Sequence, residues 1–237
     1  MRRATVTPPT VPSGAAAGNE WGLATTATTA GHTEHSPGWR GKRAMDLILS
    51  GLLLILLAPV MLGVALSVAL SSPGPILFCQ RRPGLGGKSF LFLKFRSMYA
   101  GHEGMLTERQ RKDLLENGIL PKSKDDRRIT PVGRFLRRTS LDELPQLVNV
   151  FLGDMSLVGP RPVLPDMLRP FPEIALARTR VRPGITGLWQ VLDRGRSSSI
   201  HYMWPHDKQY IESNSFWVDL RILLSTVRVV LSRKGAC

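Results

Sequence analysis

Two adjacent carboxylates, Asp142 and Glu143, lie in a strongly basic part of the chain. Three arginines come just before them and Arg161 follows between two prolines; the three are Arg134, Arg137 and Arg138. Carboxylates can serve as nucleophiles or metal ligands, and arginines bind phosphate oxygens through paired hydrogen bonds. An acidic pair surrounded by cations is therefore typical of a site that handles a phosphorylated substrate together with a metal ion.

The segment after the acidic pair is predicted to be a helix. Apolar residues recur at helical spacing on one face, namely Leu141, Leu144, Leu147, Val148 and Phe151, and Gln146 and Asn149 share the opposite face with the carboxylates. Pro145 lacks an N–H, so it fits only in the first turn, which places the helix start close to Asp142. On this evidence Ser140 or Asp142 caps the helix, and the acidic pair is either an ordinary helix start or a reactive one.

Composition limits the class of protein. The chain has 237 residues, a formal net charge of +14 and a pI near 10.8, which indicates an anionic partner such as anionic lipid, nucleic acid or a phosphorylated small molecule. Its two cysteines, Cys79 and Cys237, exclude a disulfide framework and a structural zinc site. His201 and His206 flank Trp204-Pro205, a pattern more typical of a loop than of a ligand pair.

The N-terminal third divides into a tail and a membrane element. Residues 1–38 are rich in Ala, Thr, Pro, Ser and Gly and are predicted to be a disordered tail. Residues 39–72 contain an apolar run, Leu47 to Leu70, that is long enough to cross a bilayer. Pro59 interrupts its centre, and basic residues flank both ends, which favours a helix that enters and leaves by the same face. A simple spanning helix is the alternative.

Residues 73–237 are predicted to form the catalytic domain. Two short strands are expected at residues 76–80 and 90–98, with a basic, glycine-rich loop at residues 81–88 between them. A solvated helix is expected around Glu103–Glu116, and Asp125-Asp126 reads as a turn more readily than as a metal site. The last helix, Phe216 to Leu231, carries a basic stripe that suits either a membrane interface or packing on the core.

Taken together, these stretches resemble the bacterial sugar transferases, specifically the small monotopic polyprenyl-phosphate phosphoglycosyl transferases. The resemblance runs from Lys42 to the C-terminus. The matching stretches are Lys42-Arg43 with Asp46 and Pro59, Arg82-Pro83-Gly84, Lys94-Phe95-Arg96-Ser97-Met98, Arg137 through Gln146, Gly153-Asp154-Met155-Ser156, Val158-Gly159-Pro160-Arg161-Pro162, and Val181 through Gly187.

The resemblance implies a fold and a reaction. The fold is mixed α+β, mostly helical, with a re-entrant helix broken near Pro59 and amphipathic helices that seat a small domain on the cytoplasmic face of the bacterial inner membrane. Asp142 would attack a UDP-sugar, release UMP and form an aspartyl-phosphosugar, which polyprenyl (undecaprenyl) phosphate would then accept, so initiating exopolysaccharide, O-antigen or glycoconjugate synthesis. Glu143 would assist, and Mg²⁺ would bind at Asp142 and Glu143.

The resemblance also suggests ligands for the substrate phosphates: Arg137, Arg161, Lys94 and Arg182. The chain departs from the family at Ala58, where a serine often precedes the proline, and at Leu192-Asp193-Arg194. The alternative function is a non-catalytic, basic, membrane-tethered protein that binds anionic lipid or nucleic acid. The lack of a recognised nucleic-acid-binding module argues against nucleic acid as a partner, and nothing in the sequence indicates an oligomeric state.

Overall fold

The computed structural model describes residues 38–101, 105–119, 126–193 and 198–232. In this part of the chain short elements follow one long helix. The helices are α1 (Lys42–Ser71), α2 (Glu108–Asn117), α3 (Pro131–Thr139), α4 (Gln146–Leu152), α5 (Pro165–Leu168), α6 (Pro172–Arg178), α7 (Leu188–Leu192), α8 (Ile200–Ser213) and α9 (Phe216–Ser232). The strands are β1 (Leu77–Pro83), β2 (Ser89–Phe95), β3 (Ser156–Val158) and β4 (Gly184–Thr186). The expectation of a mostly helical, mixed fold is confirmed.

The long helix α1 contains the predicted apolar run. It has 30 residues with Pro59 inside, and it is the one described helix whose length and apolar composition suffice to cross a membrane. Most of its surface is exposed, and the buried residues on it are Asp46, Ser50, Val64 and Val68. A polypeptide in water does not leave such an apolar surface uncovered, so α1 suits a lipid environment. The re-entrant path stays a prediction.

The start of α1 is tied to the domain by polar contacts. Lys42 Nζ lies 2.6 Å from Asp219 Oδ2 on α9, and Arg43 donates to the carbonyls of Val150 and Phe151 at the end of α4. Buried Asp46 accepts hydrogen bonds from the Ser156 hydroxyl at 3.0 Å and the Leu157 N–H at 2.9 Å. These contacts join the apolar helix to β3, α4 and α9.

Two small sheets form the β structure. β1 and β2 pair antiparallel from Leu77↔Phe95 to Pro83↔Ser89, and β3 pairs parallel with β4. Both predicted strands are therefore present. The first strand extends through Arg81 to Pro83, into residues predicted as loop, and a 3-10 turn at Leu85–Gly87 connects it to β2. Arg82 therefore lies within an ordered strand, where it is paired with Phe90 of β2.

Three apolar clusters form the core. The first joins the two sheets to α4, α8 and α9 around Val150 and Met155, and the second surrounds Trp189, Met167 and Ile200. The third packs Val64 and Val68 of α1 against Phe95 and Leu136, with Leu141 and Leu144 at its edge. The segment that carries the acidic pair thus packs against a cluster to which the apolar helix contributes Val64 and Val68.

Four expectations need correction or fall, wholly or in part, outside the description. His201 and His206 lie in α8 rather than in a loop, because Pro205 is accommodated inside that helix. α2 begins at Glu108, after Thr107 caps it, and not near Glu103. Residues 1–37, which include nearly all of the predicted tail, lie outside the described residues, as does Asp125; Asp126 lies beside a turn, where it pairs with Arg128.

The last helix α9 both packs on the core and exposes an apolar surface. Ile222 is buried and Val218 and Leu223 pack against the first cluster, whereas Trp217 and Leu224 are largely exposed beside Arg221 and Arg228. Core packing is therefore confirmed for one face. The exposed face keeps the composition expected of a helix at a membrane interface.

Candidate functional site

The acidic pair lies in a turn between two helices, not inside a helix. α3 ends at Thr139, Ser140 adopts a left-handed conformation with φ of 59°, and Leu141–Glu143 forms a 3-10 turn before α4 begins at Gln146. The expected helix start near Asp142 therefore corresponds to this 3-10 turn, whereas the α-helix itself begins only at Gln146. Ser140 occupies the N-cap position of the turn, but it makes no side-chain capping bond there, so that part of the expectation is wrong. Pro145 is the N-cap of α4, because it has no N–H to contribute and its φ suits a helix entrance.

Long-range packing fixes this turn. Leu141 and Leu144 pack against the cluster formed by α1, α3 and β2, and the 3-10 turn is closed by Glu143 N–H to Ser140 O at 3.2 Å and Leu144 N–H to Leu141 O at 3.3 Å. The two leucines face the apolar cluster, so the carboxylates between them are turned toward the basic residues of β2 and of the segment after β3. In the order Leu-Asp-Glu-Leu, the two leucines thus contact the apolar cluster while the two carboxylates between them contact the cations.

Asp142 is paired with Lys94. Asp142 is only 2% exposed, and its Oδ2 lies 2.5 Å from Lys94 Nζ, which β2 supplies. A carboxylate at this depth is stable in its ionised form only when a cation and hydrogen bonds compensate the loss of water. Lys94 provides the compensating cation for Asp142 in this partly dry environment.

Glu143 is paired with Arg161. Arg161 Nη2 donates to Glu143 Oε1 at 2.8 Å, and Nη1 lies 3.5 Å from Oε2, so the guanidinium faces the carboxylate with two nitrogens. The carboxylate of Glu143 raises the pKa of Arg161 above its usual value, which outweighs the opposite effect of burial. Arg161 thus forms an ion pair with the acidic pair itself.

Arg137 approaches the site from α3. Its Nε donates to Ser97 Oγ at 2.9 Å, just after β2. Burial lowers the pKa of this guanidinium, and the nearby Asp142 carboxylate partly reverses the effect. Arg137 and Asp142 are therefore close enough to influence each other, although Arg137 hydrogen-bonds to the serine rather than to the carboxylate.

Arg182 lies elsewhere. Its Nε donates to the carbonyl of Gly153 at 2.9 Å, at the start of the loop that leads into β3. The structure brings together Lys94, Arg137 and Arg161 around the acidic pair, and it places the guanidinium of Arg182 on the backbone instead. The role of Arg182 as a phosphate ligand stays a prediction.

Arg82 belongs to the site and was not among the predicted site residues. Its guanidinium stacks on the ring of Phe92 at 4.3 Å, and burial together with the neighbouring Arg161 lowers its pKa to about 9, against the smaller opposite effect of Glu143. The stretch Arg82-Pro83-Gly84 could have identified this arginine from the sequence. Only the pairing of β1 with β2, however, shows that its side chain belongs to the site.

Two polar residues of α4 are buried instead of facing solvent. Asn149 is buried and bridges to β2, accepting from Leu93 N–H at 3.1 Å and donating to Leu91 O at 2.8 Å. Gln146 is also buried. The predicted polar face of this helix is therefore wrong, because β2 covers it. The consequence is that Asn149 fixes α4 against the strand that carries Lys94.

Charge is unbalanced at the site. Lys94, Arg137, Arg161 and Arg82 supply four cations around the two carboxylates of Asp142 and Glu143. Buried like charges repel each other and are costly unless an anion compensates them. The arrangement therefore has room, electrostatically, for an additional anion of about two charges, as a diphosphate would supply.

The chain matches a family model over most of its described length. A model of bacterial sugar transferases covers residues 38–233. A UDP-glucose:undecaprenyl-phosphate glucose-1-phosphate transferase of Caulobacter vibrioides is 43% identical over 203 residues, which cover 82% of this chain and 71% of that protein. An undecaprenyl-phosphate glucose phosphotransferase of Komagataeibacter xylinus is 42% identical over 206 residues, which cover 82% of this chain and 36% of the relative.

A third relative, the undecaprenyl-phosphate galactose phosphotransferase of Salmonella typhimurium, is 40% identical over 201 residues, or 82% of this chain. The matched region is 36% of the Komagataeibacter protein and 41% of the Salmonella protein, so the chain spans well under half the length of these two relatives. The match includes the apolar helix, the acidic turn and every cation around it. By the extent of the family match and the identity to these relatives, the chain belongs to the bacterial sugar transferase family.

Proposed function

We propose that the chain transfers a sugar 1-phosphate from a UDP-sugar to polyprenyl phosphate at a membrane surface. The observation that carries the proposal is the acidic pair itself: two adjacent carboxylates, each held by its own cation, with two further cations beside them. Family membership and the substrates named for the relatives supply the substrate classes. An initiating step in exopolysaccharide, O-antigen or glycoconjugate synthesis follows from the lipid-linked product.

In the first step Asp142 is the nucleophile. One of its carboxylate oxygens attacks the sugar-proximal phosphorus of the UDP-sugar, and the bond from that phosphorus to the bridging oxygen breaks. UMP leaves with the bonding electrons, and the phosphosugar stays on Asp142 as an acyl phosphate. Arg161, Arg137 and Lys94 stabilise the charge that develops on the phosphoryl oxygens, which is the main form of catalysis in phosphoryl transfer.

In the second step polyprenyl phosphate is the acceptor. A phosphate oxygen of the lipid attacks the same phosphorus, the bond to Asp142 breaks, and the carboxylate is restored as polyprenyl-diphosphate sugar forms. Glu143 accepts the proton when the attacking phosphate is singly protonated. A covalent intermediate suits these substrates, because one is soluble and the other is in the bilayer, and the two need not be bound simultaneously.

Mg²⁺ is proposed at Asp142 and Glu143. Mg²⁺ commonly binds through one or two carboxylates together with water and substrate phosphates, rather than in a cage made by protein alone. This acidic pair fits that pattern, since no group of three or more His, Cys, Asp or Glu side chains suited to a metal occurs among the residues that the structure describes. When bound, the ion would neutralise phosphate charge.

The membrane position of the site is part of the proposal. α1 exposes large apolar side chains along its length, and α9 exposes Trp217 and Leu224. Because Leu141 and Leu144 pack on the same cluster as Val64 and Val68 of α1, the acidic turn lies next to the apolar helix. A re-entrant α1 that bends at Pro59 would leave the domain on the cytoplasmic face of the inner membrane, where UDP-sugars are available.

The test uses full-length protein in membranes that contain undecaprenyl phosphate, with a panel of UDP-sugars that includes UDP-glucose and UDP-galactose. UMP release is measured with and without Mg²⁺. Asp142→Asn should lower the rate by about 10⁴-fold or more, as removal of a nucleophile does. Asp166→Asn, at an exposed carboxylate on α5, is the matched control and should leave the rate unchanged.

The proposal fails if wild-type protein releases no UMP from any UDP-sugar, or if Asp142→Asn releases it at the wild-type rate. Mass spectrometry of protein quenched before the lipid acceptor is added should show a phosphosugar on wild type and none on Asp142→Asn. Salt-dependent binding to anionic vesicles that is indifferent to Asp142→Asn, without turnover, would instead support a non-catalytic, membrane-tethered protein.

A further inference from the structure

The turn that presents Arg161 has few backbone donors with which to hold itself. Two of its three residues, Pro160 and Pro162, lack an N–H, so the turn depends on partners elsewhere in the fold. All three of its carbonyl groups find such partners. The pairs are Pro160 O with Gly184 N–H at 2.9 Å, Arg161 O with the Arg178 guanidinium, and Pro162 O with the Arg82 guanidinium.

Arg178 holds the central carbonyl from one side. It is the last residue of α6, it is buried, and its other guanidinium nitrogen pairs with Asp207 of α8. Burial lowers the pKa of Arg178 to about 10. A buried ion pair contributes little net stability compared with apolar side chains of the same size. Arg178 has a second contact besides this ion pair, because the other arm of its guanidinium donates to the backbone carbonyl of Arg161.

Arg82 holds the next carbonyl from the other side. It lies at the end of β1, stacks on Phe92 and donates to Gln80 Oε1 at 3.1 Å. The two arginines thus grip consecutive carbonyls, one from the α6–α8 layer and one from the β1–β2 sheet. In the part of the chain that the structure describes, the hydrogen bonds of the Arg178 guanidinium go to Asp207 and to the Arg161 carbonyl, and none goes to the acidic pair.

We propose that Arg178 is a positioning residue that acts through Arg161, fixing its backbone so that the guanidinium faces Glu143 and the substrate diphosphate, and that Arg82, besides adding its charge to the site, holds the next carbonyl of the same turn. This inference rests on the proposed function, because that function assigns Arg161 its task. A guanidinium has donors in a rigid fork, so a single Arg178 can satisfy Asp207 and the Arg161 carbonyl together. A lysine in its place keeps the charge and the ion pair but loses the second arm.

Arg178→Lys is therefore the decisive substitution, with Arg82→Lys as its counterpart on the sheet side. Displacement of a catalytic group by about 1 Å can cost up to about 100-fold in rate, so each variant should lower kcat/KM for UMP release by about 10-fold or more. Arg43→Lys is the matched control, since Arg43 also forks to two carbonyls but on α4, at Val150 and Phe151. It should retain wild-type kcat/KM.

The route of action is tested in an Arg161→Ala background. Positioning residues that work only through Arg161 lose their effect when that side chain is absent, so Arg161→Ala/Arg178→Lys should turn over within about 2-fold of Arg161→Ala alone. A purely structural role would lower kcat/KM by the same factor in both backgrounds. Either that result, or wild-type kcat/KM in Arg178→Lys, overturns the inference.

A second measurement does not need turnover. The coupling between Arg161 and Glu143 is obtained from the melting temperatures of Arg161→Ala, Glu143→Gln and the double variant, each made with and without Arg178→Lys. The coupling should shrink clearly in the Arg178→Lys background, and an unchanged coupling overturns the inference. If wild-type protein releases no UMP, the proposed function fails while this coupling still decides whether Arg178 positions Arg161.

Discussion

Gly133 lets α3 lie directly on the end of β2. A Cβ at this position would lie 2.7 Å from the carbonyl carbon and 2.8 Å from the Cα of Ser97, and closer still to its carbonyl oxygen. Ser97 is also the partner of Arg137, whose Nε donates to its hydroxyl at 2.9 Å. Lys94, the partner of Asp142, is three residues earlier in the same segment. One helical glycine therefore sets the distance between the helix and the strand that together supply two cations of the site.

The magnitude follows from that contact. Non-bonded carbon atoms rest at about 3.5–4.0 Å, so Gly133→Ala must separate α3 and Ser97 by about 1 Å. Overpacking of this kind costs about 1–3 kcal/mol, against a gain of about 1 kcal/mol from replacing a helical glycine by alanine. The net change should destabilise the protein. A shift of about 1 Å at Arg137 should also lower the rate of UMP release by about 10- to 100-fold.

Gly63→Ala is the control, because Gly63 is likewise helical and a Cβ there meets no atom within 4 Å. Thermal unfolding in lipid or detergent and UMP release are measured on both variants. We expect a lower melting temperature and lower rate for Gly133→Ala, and an equal or higher melting temperature with unchanged rate for Gly63→Ala. If the two variants behaved alike, the close contact between α3 and Ser97 would not control the site.

Two further substitutions test how the apolar helix is held. Arg96 is buried and donates to three carbonyls at the end of α1, those of Val68, Ser72 and Pro73. Arg96→Met should lower the free energy of unfolding by about 2–3 kcal/mol in a denaturant titration. A loss below about 0.5 kcal/mol would contradict this role. Tyr210 donates to Asp219 at 2.8 Å, and its pKa is raised, first by burial and then by Asp219. Tyr210→Phe should therefore cost about 1–3 kcal/mol at pH 8. That difference should shrink above about pH 10, where the tyrosine ionises in the unfolded chain but not in the folded one, so that only wild type loses stability; a difference that is constant with pH would refute it.

Much of the architecture could be predicted because it depends on neighbouring residues. The apolar runs of α1, β1 and β2 are local patterns, and the last helix was predicted within one residue of its observed end at Ser232. The acidic pair and Arg161 could be selected because their residue types restrict their chemistry. Ser140 shows the limit of local patterns. Its left-handed conformation separates α3 from the acidic turn, and no spacing rule identifies a serine that breaks a helical pattern in this way.

The errors share one cause, which is contact with distant residues. Asn149 resembles a solvent-facing residue on a helical wheel, yet it is buried because β2 lies on that face. Its side-chain amide hydrogen-bonds to the backbone of β2. Arg182 is not an error of this kind: its guanidinium donates to the carbonyl of Gly153, a contact with a distant residue that the sequence does not show, and its role as a phosphate ligand stays a prediction. Arg82 resembles a loop residue, and only strand pairing brings it to Pro162. Hydrogen-bonding capacity is visible in a sequence, but the partner that satisfies it is not.

By itself the sequence determined the membrane-compatible helix, the basic character, the acidic pair and the family, since each depends on residue type and order. Only the tertiary structure decided which cation holds which carboxylate, with Lys94 on Asp142 and Arg161 on Glu143. The physical reason is that the attraction between opposite charges does not select one partner. Several cations could therefore pair with each carboxylate, and packing decides which of them lies close enough to do so. Here the packing of Leu141 and Leu144 against the cluster that α1, α3 and β2 form orients the carboxylates, and the pairing of β1 with β2 brings Arg82 and Lys94 to them.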